Sequence, residues 1–362
     1  MLYLSKSETS VNSNDQRPEI DLRTGLTVVV CCYNSSLRLM PTLEHLAAQQ
    51  DIQSLPVELL LIDNVSTDGT AEMAKRKWAD LGAPFSMLIV YEPKPGLSHA
   101  RRRAIFEARY EVLLFCDDDN WLSPEYLTKG YTLMQINPKI GLLGGQGTPV
   151  FESDPPNWFT RFQKSFALGP QHVQNGKLPE GNNLYGAGIF VRTGFFRGLF
   201  SSGLFSLLSG RSGSTPSSGE DTEWCLWCRM GGYELHYNEE LTFKHFISSD
   251  RTKEKYLIRL AQEKGKSELI FFIYRDLMRG GSVQWIDSLF RWYWEIIKRL
   301  VLFFYFAVKG STIEVRLKRA RLRYSIMERI GNRKEYRKCV FTVKSFFSNP
   351  LLNPSCGRNP LQ

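Results

Sequence analysis

Three consecutive carboxylates, Asp117, Asp118 and Asp119, end the apolar run Val112-Leu-Leu-Phe-Cys116. The run reads as a strand buried on both faces, as parallel strands are. Acids at its carboxyl end then lie at the mouth where open α/β sheets take ligands. Three adjacent negative charges repel one another, so a cation is their natural compensation. Hard oxygen ligands favour Mg²⁺ or Mn²⁺, and such an ion suits a substrate that carries a pyrophosphate. The alternative is a solvated acidic turn that caps the next helix. The surrounding chain decides between the two.

Polar residues recur at the other junctions. Tyr33 and Asn34 follow the run Leu26–Cys32, and Asp63 and Asn64 follow Val57–Ile62. An acid at such a mouth can hydrogen-bond a nucleoside. Asp68 is placed to cap the helix that opens at Gly69-Thr70. Arg101 stands at a helix start after Gly96-Leu-Ser-His-Ala100, within reach of a base or a diphosphate. Arg101, Arg102 and Arg103 cannot all point one way on a helix. Glu220 and Asp221 close a Gly/Ser-rich stretch, 209–219, and open another helix. One carboxylate there is enough for general-base work on a hydroxyl. His245 lies 24 residues farther on, in Phe243-Lys-His-Phe-Ile247.

These residues need a scaffold that brings strand ends together. Apolar runs at 26–32, 57–62, 85–90 and 112–116 alternate with helical stretches at 40–50, 68–81 and 97–108. Strand–helix alternation predicts a mostly parallel sheet flanked by helices. Pro124 suits the first turn of a further helix. Beyond it the spacing predicts strands at 140–145 and 185–191, an irregular stretch at 146–182, and a helix from Thr222 to Met230. From Arg251 on, only helices are predicted.

The 362 residues carry a net +9, unevenly spread. Residues 251–362 hold 24 Lys and Arg against 9 Asp and Glu, a net +15, and the remainder is at −6. Such asymmetry points to an anionic surface as partner, either nucleic acid or lipid. Seven cysteines without framework spacing point to reduced thiols and a cytosolic site. Cys225 and Cys228 have no second pair to complete a zinc site. Residues 1–24 are polar, lack an apolar signal core and read as a disordered lead-in. The segment Trp285–Lys309 is rich in aromatics and leucines, but its uninterrupted core, Leu300–Val308, is far short of the roughly 20 residues a spanning helix needs. It reads as an interfacial amphipathic helix or as one packed on the rest of the chain.

Residues 25–250 resemble the inverting family 2 glycosyltransferases, whose fold is GT-A, a Rossmann-like mostly parallel sheet flanked by helices. The matching pieces are Val30-Cys-Cys-Tyr-Asn34, Ile62-Asp-Asn-Val-Ser-Thr-Asp-Gly-Thr70, Gly96-Leu-Ser-His-Ala-Arg101, Asp117-Asp-Asp-Asn120 and Gly219-Glu-Asp-Thr-Glu-Trp224. Each falls at a strand end or a helix start, in order along the chain. The resemblance implies a nucleotide-sugar donor, a UDP-sugar, and Mn²⁺ or Mg²⁺ as cofactor. It assigns Tyr33, Asn34, Asp63, Asn64, Arg101, Asp117 and Asp118 to the donor nucleotide, and Asp119 and His245 to the metal. Asp221 becomes the base, and Gly186, Ala187, Gly188, Glu220 and Trp224 line the sugar and acceptor. Asn64 stands where relatives usually have a second Asp. Trp158 and Trp227 are further candidates for stacking a sugar, with core packing the competing role for Trp227.

The implied protein is a bacterial-type enzyme of cell-envelope polysaccharide synthesis, acting on a glycan or lipid-linked acceptor. A basic, aromatic-rich helical extension, 251–362, would hold it peripherally on the cytoplasmic face of an anionic membrane. Two other readings compete. A sugar-1-phosphate nucleotidyltransferase wants a Gly-rich phosphate loop after the first strand, where this chain has Cys31-Cys-Tyr-Asn-Ser-Ser36. A nucleic-acid-binding tail wants aromatics interleaved with Arg as stacking platforms. Here they cluster beside leucines, so no nucleic acid is expected.

Overall fold

The four apolar runs form four parallel strands. These are β1 (Arg23–Cys32), β2 (Val57–Asp63), β3 (Ser86–Tyr91) and β4 (Tyr110–Asp117), laid side by side in the order β3-β2-β1-β4. Helices α1 (Leu39–Ala47), α2 (Thr70–Asp80) and α3 (Leu97–Glu107) make the crossovers. Alternate residues of the central strands enter two different cores. Val29, Leu60, Leu113 and Phe115 face α3, whereas Val28, Leu59, Leu114 and Cys116 face α1 and α2. The register sets Cys32 beside Asp63 and Cys31 beside Asp117, so three strand mouths open on one line.

A computed structural model of the chain describes residues 22–208, 219–278, 293–294, 296–298, 300–301, 304–305, 312–330 and 333–352. The lead-in up to residue 21 and most of the Gly/Ser-rich stretch, 209–218, lie outside the described residues, as does most of 285–309.

After β4 the chain reverses at the Asp triplet into β5 (Asn120–Leu122), followed by α4 (Tyr126–Ile136) and β6 (Ile140–Phe151). A one-turn helix, α5 (Phe159–Phe162), and a 3-10 turn lead to the two-residue strand β7 (Gly176–Lys177). Then come β8 (Ile189–Arg192), α6 (Thr193–Ser201), α7 (Glu220–Met230) and β9 (Glu234–Ile247). The sheet continues β4-β8-β6-β9-β5, with β8 antiparallel to both neighbours and β5 antiparallel to β9.

Three sequence expectations change here. Residues 146–151 belong to β6, because β9 pairs with them as far as Ile247. Residues 185–188 are not strand, and the turn closes at Gly188, whose φ of +64° suits glycine. The fourteen-residue β9 was not anticipated at all. Its alternation is regular, with Leu235, Tyr237, Leu241, Phe243, His245 and Ile247 buried, but Glu234, Glu239, Glu240 and Lys244 depress the apparent β propensity.

Past β9 come helices α8 (Glu254–Met278), α9 (Thr312–Ile330) and α10 (Arg333–Phe347). Leu269, Ile273 and Tyr274 of α8 join Val343 and Phe346 of α10 in the larger core, beside Trp227 of α7. Leu257 and Leu260 pack with Phe159 and Phe166 in a third cluster, which Ile313 and Leu317 of α9 cover. Among the described residues no helix is long and apolar enough to cross a membrane.

The β6–β9 pairing is tightest at Gly145, where a Cβ would lie 1.9 Å from the Leu241 carbonyl oxygen. Backbone cannot rotate aside as a side chain can. Gly145→Ala should therefore cost about 3 kcal/mol, the upper range for overpacking, seen as a lower urea midpoint at unchanged slope.

Candidate active site

A cleft of about 910 Å³ opens at the carboxyl ends of β1, β2 and β4, and Tyr33, Asn64, Gly96, the three Asp of the triplet and Arg251 line it. This is the switch point of the parallel half, where the chain, having run outward from β1 through β2 to β3, returns to place β4 on the other side of β1. Cys31 and Cys32 also face the cleft. Burial pushes both thiols well up, so neither presents a thiolate nucleophile.

One wall is made by the loops after β1 and β2. Asn34 takes a left-handed φ of 48°, and its side-chain Oδ1 accepts from the Thr67 amide at 2.8 Å. Tyr33 stays 44 % exposed above the cleft. Asp63 accepts from the Ser66 amide at 3.1 Å. Asn64 is fully engaged. Its Nδ2 donates to the carbonyls of Glu92 (3.0 Å) and Lys94 (2.7 Å), and its Oδ1 accepts from the Gly96 amide at 2.7 Å. A carboxylate would meet two carbonyl oxygens there, which accounts for Asn where the family usually carries Asp. Asp68 accepts from the Ser36 and Thr70 amides. It holds the turn ahead of α2, whose N-cap position is Gly69.

The triplet divides its work. Asp117 ends β4 in the cleft. Asp118 is buried and binds inward, accepting from Ser35 Oγ and from Arg38 Nε at 2.9 Å. Burial raises its carboxyl above the usual range, Asp119 adds to this, and Arg38 opposes it. Asp119 meets β9. Its Oδ2 accepts from Arg251 Nη1 at 2.8 Å, and its Oδ1 lies 3.4 Å from His245 Nε2. Arg251 Nη1 also lies 3.2 Å from His245 Nε2. A guanidinium only donates, so the Arg251 contact uses His245 Nε2 as acceptor. Among the described residues Nδ1 of the same ring is buried without a partner, as are both amide atoms of Asn120, the residue opposite His245 in the β5–β9 pairing. Asp119 and His245, with these orphaned polar atoms around them, are the residues that would hold a divalent ion. Among the described residues no three His, Cys, Asp or Glu side chains group as a metal cluster, so the protein would supply only part of its coordination.

The opposite side is organised by Arg101. It is buried, pairs with Glu220 Oε2 at 3.1 Å, and lies over the rings of Phe115 and Trp224. Burial works to lower its pKa, but Glu220, Asp117 and Asp221 more than offset this. Burial likewise raises Glu220 while Arg101 draws it back. A guanidinium keeps its proton in proteins, so Arg101 carries its charge beside Glu220 in the buried pair. Arg101 thus sits behind the cleft wall, bridging α3 and α7. Asp221 heads α7, with Oδ2 accepting from the Gly186 amide (3.2 Å) and Oδ1 from the Thr222 amide (2.9 Å). A side chain at Gly186 would press on Arg101 and Asp221, and the Gly188 carbonyl accepts from Tyr126 Oη at 2.5 Å. Ala187 is buried between them. Trp224 is 2 % exposed among Phe115, Phe196 and Phe200, so it is a core residue and offers no face to a sugar. Trp227 is likewise buried, and Trp158 packs on Phe159 and Phe162.

Sequence reasoning missed Arg38 and Arg251. Arg38 carried no signal beyond its place before α1. Arg251 stands six residues after His245, at the start of what reads as a separate basic extension.

Residues 27–205 match the family model described as Glycosyl transferase family 2. Poly(ribitol-phosphate) beta-N-acetylglucosaminyltransferase TarS of Staphylococcus aureus is 26 % identical over 168 residues, 44 % of this chain and 29 % of TarS. YfnE, an uncharacterised glycosyltransferase of Bacillus subtilis, is 29 % identical over 103 residues, 28 % of this chain and 25 % of that one. The chain therefore spans less than a third of these relatives. Among solved structures, mannosyltransferase PcManGT from Pyrobaculum calidifontis, in complex with GDP-Man and Mn²⁺, aligns with a TM-score of 0.50 at 17 % identity, covering 95 % of this chain and 92 % of that one. The fold is of the GT-A kind.

A second buried carboxylate fixes the approach to Asp221. Glu223 accepts from Ser206 Oγ, from the amides of Leu207 and Leu208 (both 3.2 Å) and from Tyr274 Oη (2.6 Å). It thereby ties the chain before residue 209 to α7 and α8. Burial pushes Glu223 up to about 7, against these hydrogen bonds, from its ordinary 4.5. The folded state then holds a proton that the unfolded chain has released. The stability this contributes is complete below about pH 4.5 and is lost as pH rises through about 7. Wild type should lose stability across that window relative to Glu223→Gln, measured by urea midpoints in a pH series. Parallel profiles would refute the raised value.

Proposed function

We propose that this chain, a member of glycosyl transferase family 2 over residues 27–205, transfers a sugar from a nucleotide-sugar donor to a glycan or lipid-linked acceptor with inversion. The observation that carries the reading is the cleft at the strand mouths, lined by the Asp triplet, where Asp119 faces His245; Asp221 is fixed separately at the head of α7. The proposed donor is a UDP-sugar. The relative TarS is by name a β-N-acetylglucosaminyltransferase, and a structure of its residues 1–349 is a complex with UDP-GlcNAc.

In this reading Tyr33 and Asn34 flank the base, Asp63 takes the base or ribose, and Asp117 the ribose. Asp118 keeps Arg38 and Ser35 in place behind them. Asp119 and His245 hold Mn²⁺ or Mg²⁺, which when bound supplies positive charge against the departing diphosphate. Each Asp221 oxygen accepts one amide hydrogen and keeps a lone pair for the acceptor hydroxyl. Asp221 takes that proton as the oxygen attacks the anomeric carbon, the C–O bond to the diphosphate breaks, and the nucleoside diphosphate leaves. The backbone at Gly186–Gly188 gives the sugar close approach. Asp221→Asn keeps the shape and removes the base. It should lower kcat by roughly 10²–10⁴-fold with donor affinity retained, and the wild-type product should show the inverted anomer by NMR. Collapse of donor binding with turnover of bound substrate intact would disprove the base.

Peripheral membrane contact at the cytoplasmic face belongs to the same reading. The described residues of 293–305 are helical, and Trp294, Ile297, Val301, Phe304 and Tyr305 recur at helical spacing while 48–64 % exposed. Six described cysteines are free thiols, consistent with a reducing compartment. Basic residues near an anionic surface contribute about 1 kcal/mol each, and the apolar stripe can enter the headgroup region. The full chain should sediment with phosphatidylglycerol vesicles, and Trp294→Ser/Phe304→Ser should not. High salt should weaken the binding and leave part of it, because apolar burial is not screened.

A further inference from the structure

We propose that Arg251 is a resident cation at the Asp119–His245 pair. Its guanidinium holds the two ligands until a divalent ion displaces it, and it then turns onto the donor's diphosphate. The proposal rests on the metal reading above.

The argument is geometric. Nη1 lies 2.8 Å from Asp119 Oδ2 and 3.2 Å from His245 Nε2, so one N–H group faces both of the atoms a metal would use. The Nε2 lone pair that accepts from Arg251 is the lone pair a metal ion needs. Two cations cannot share that point, since like charges at contact distance repel strongly in a half-buried site. The pair is well formed, with side chains 12 % exposed for Arg251 and 9 % for Asp119. The fork is otherwise under-used, because among the described residues its buried Nε has no hydrogen-bond partner. Arg251 also borders the cleft, on the turn where its amide donates to the Ser248 carbonyl. A planar fork lining that cleft suits bidentate recognition of a diphosphate.

The consequence is ordered loading. Free protein would keep Asp119 and His245 aligned at low cost in charge repulsion, yet take up metal weakly. The nucleotide would draw Arg251 away and open the site to the ion it brings. Arg251 is thus a positioning residue that links donor binding to metal binding.

The test is Mn²⁺ uptake by the full chain, read from the loss of the free-ion EPR signal, with and without UDP. Without UDP, Arg251→Ala and Arg251→Gln should bind Mn²⁺ about tenfold tighter than wild type, about 1.4 kcal/mol. Gln keeps most of the bulk beside Tyr256 and guards against a packing defect in Ala. Adding UDP should tighten wild type strongly and the variants little, and UDP should bind the variants more weakly in chelator. His245→Ala should abolish uptake in either background. Equal affinity of wild type and both variants without UDP, with uptake intact when UDP is present, would overturn the proposal and leave the metal reading standing. No uptake by any form, even with UDP, would overturn both. Uptake by the variants that survives His245→Ala would place the ion elsewhere and also refute the proposal.

Discussion

Arg101 has to be buried and has to be paired, and the rest of the site depends on how that is met. Its guanidinium lies between the ring of Phe115 on β4 and that of Trp224 on α7, and its partner Glu220 is the first residue of α7. Removing one member of such a pair strands a buried charge and typically costs about 3–5 kcal/mol. The interaction therefore sets where α7 begins relative to the strand mouths. Asp221, one residue on, inherits that position. Gly186 is part of the same constraint, because a side chain there would displace the guanidinium. The aromatic that could be mistaken for a sugar platform, Trp224, is one of the surfaces that make this burial tolerable.

The antiparallel half of the sheet supplies what the parallel half cannot. A parallel α/β sheet delivers loops to one edge, but it does not bring a distant segment back against the Asp triplet. Here the chain reverses within Asp118–Asn120, β5 runs antiparallel to β9, and the register sets Asn120 opposite His245. The triplet is thus a bend as well as a set of ligands. Asp118 anchors the bend inward through Ser35 and Arg38, and Asp119 faces across to β9. The negative charge of the bend is met by arginines from both flanks, Arg38 ahead of α1 and Arg251 beyond β9.

The C-terminal helices are not a separate appendage in packing. Tyr274 of α8 accepts from Trp227 Nε1 and donates to Glu223, so the extension helps hold the helix that carries Asp221. Phe346 of α10 closes over the same tryptophan. The basic surface and the exposed stripe near residue 300 are carried by a segment whose neighbours are bound into the core.

The sequence by itself determined the parallel half. Continuous burial of β1, β2 and β4 on both faces follows from unbroken Val, Leu and Ile runs, and their polar ends fall at the mouths because strand length and crossover helices leave no other place. The placement of the Asp triplet and Asp63 at those mouths was legible for that reason. Local patterning could not reveal which acid faces which way, since Asp118 and Asp119 differ only in what lies across from them. The charged residues of β9 hid a regular alternation, and with it the position of His245 on a strand and of Arg251 just beyond. Asn64 read as a departure from the family's pattern until the carbonyls of Glu92 and Lys94 showed why an amide is required. Trp224 read as a platform until the depth of the core around it was known. Segment identity is set by nearest-neighbour chemistry along the chain. Partner identity across 119 residues, as for Arg101 and Glu220, or across 132, as for Asp119 and Arg251, is set only when the sheet closes, because burial decides which charges must meet.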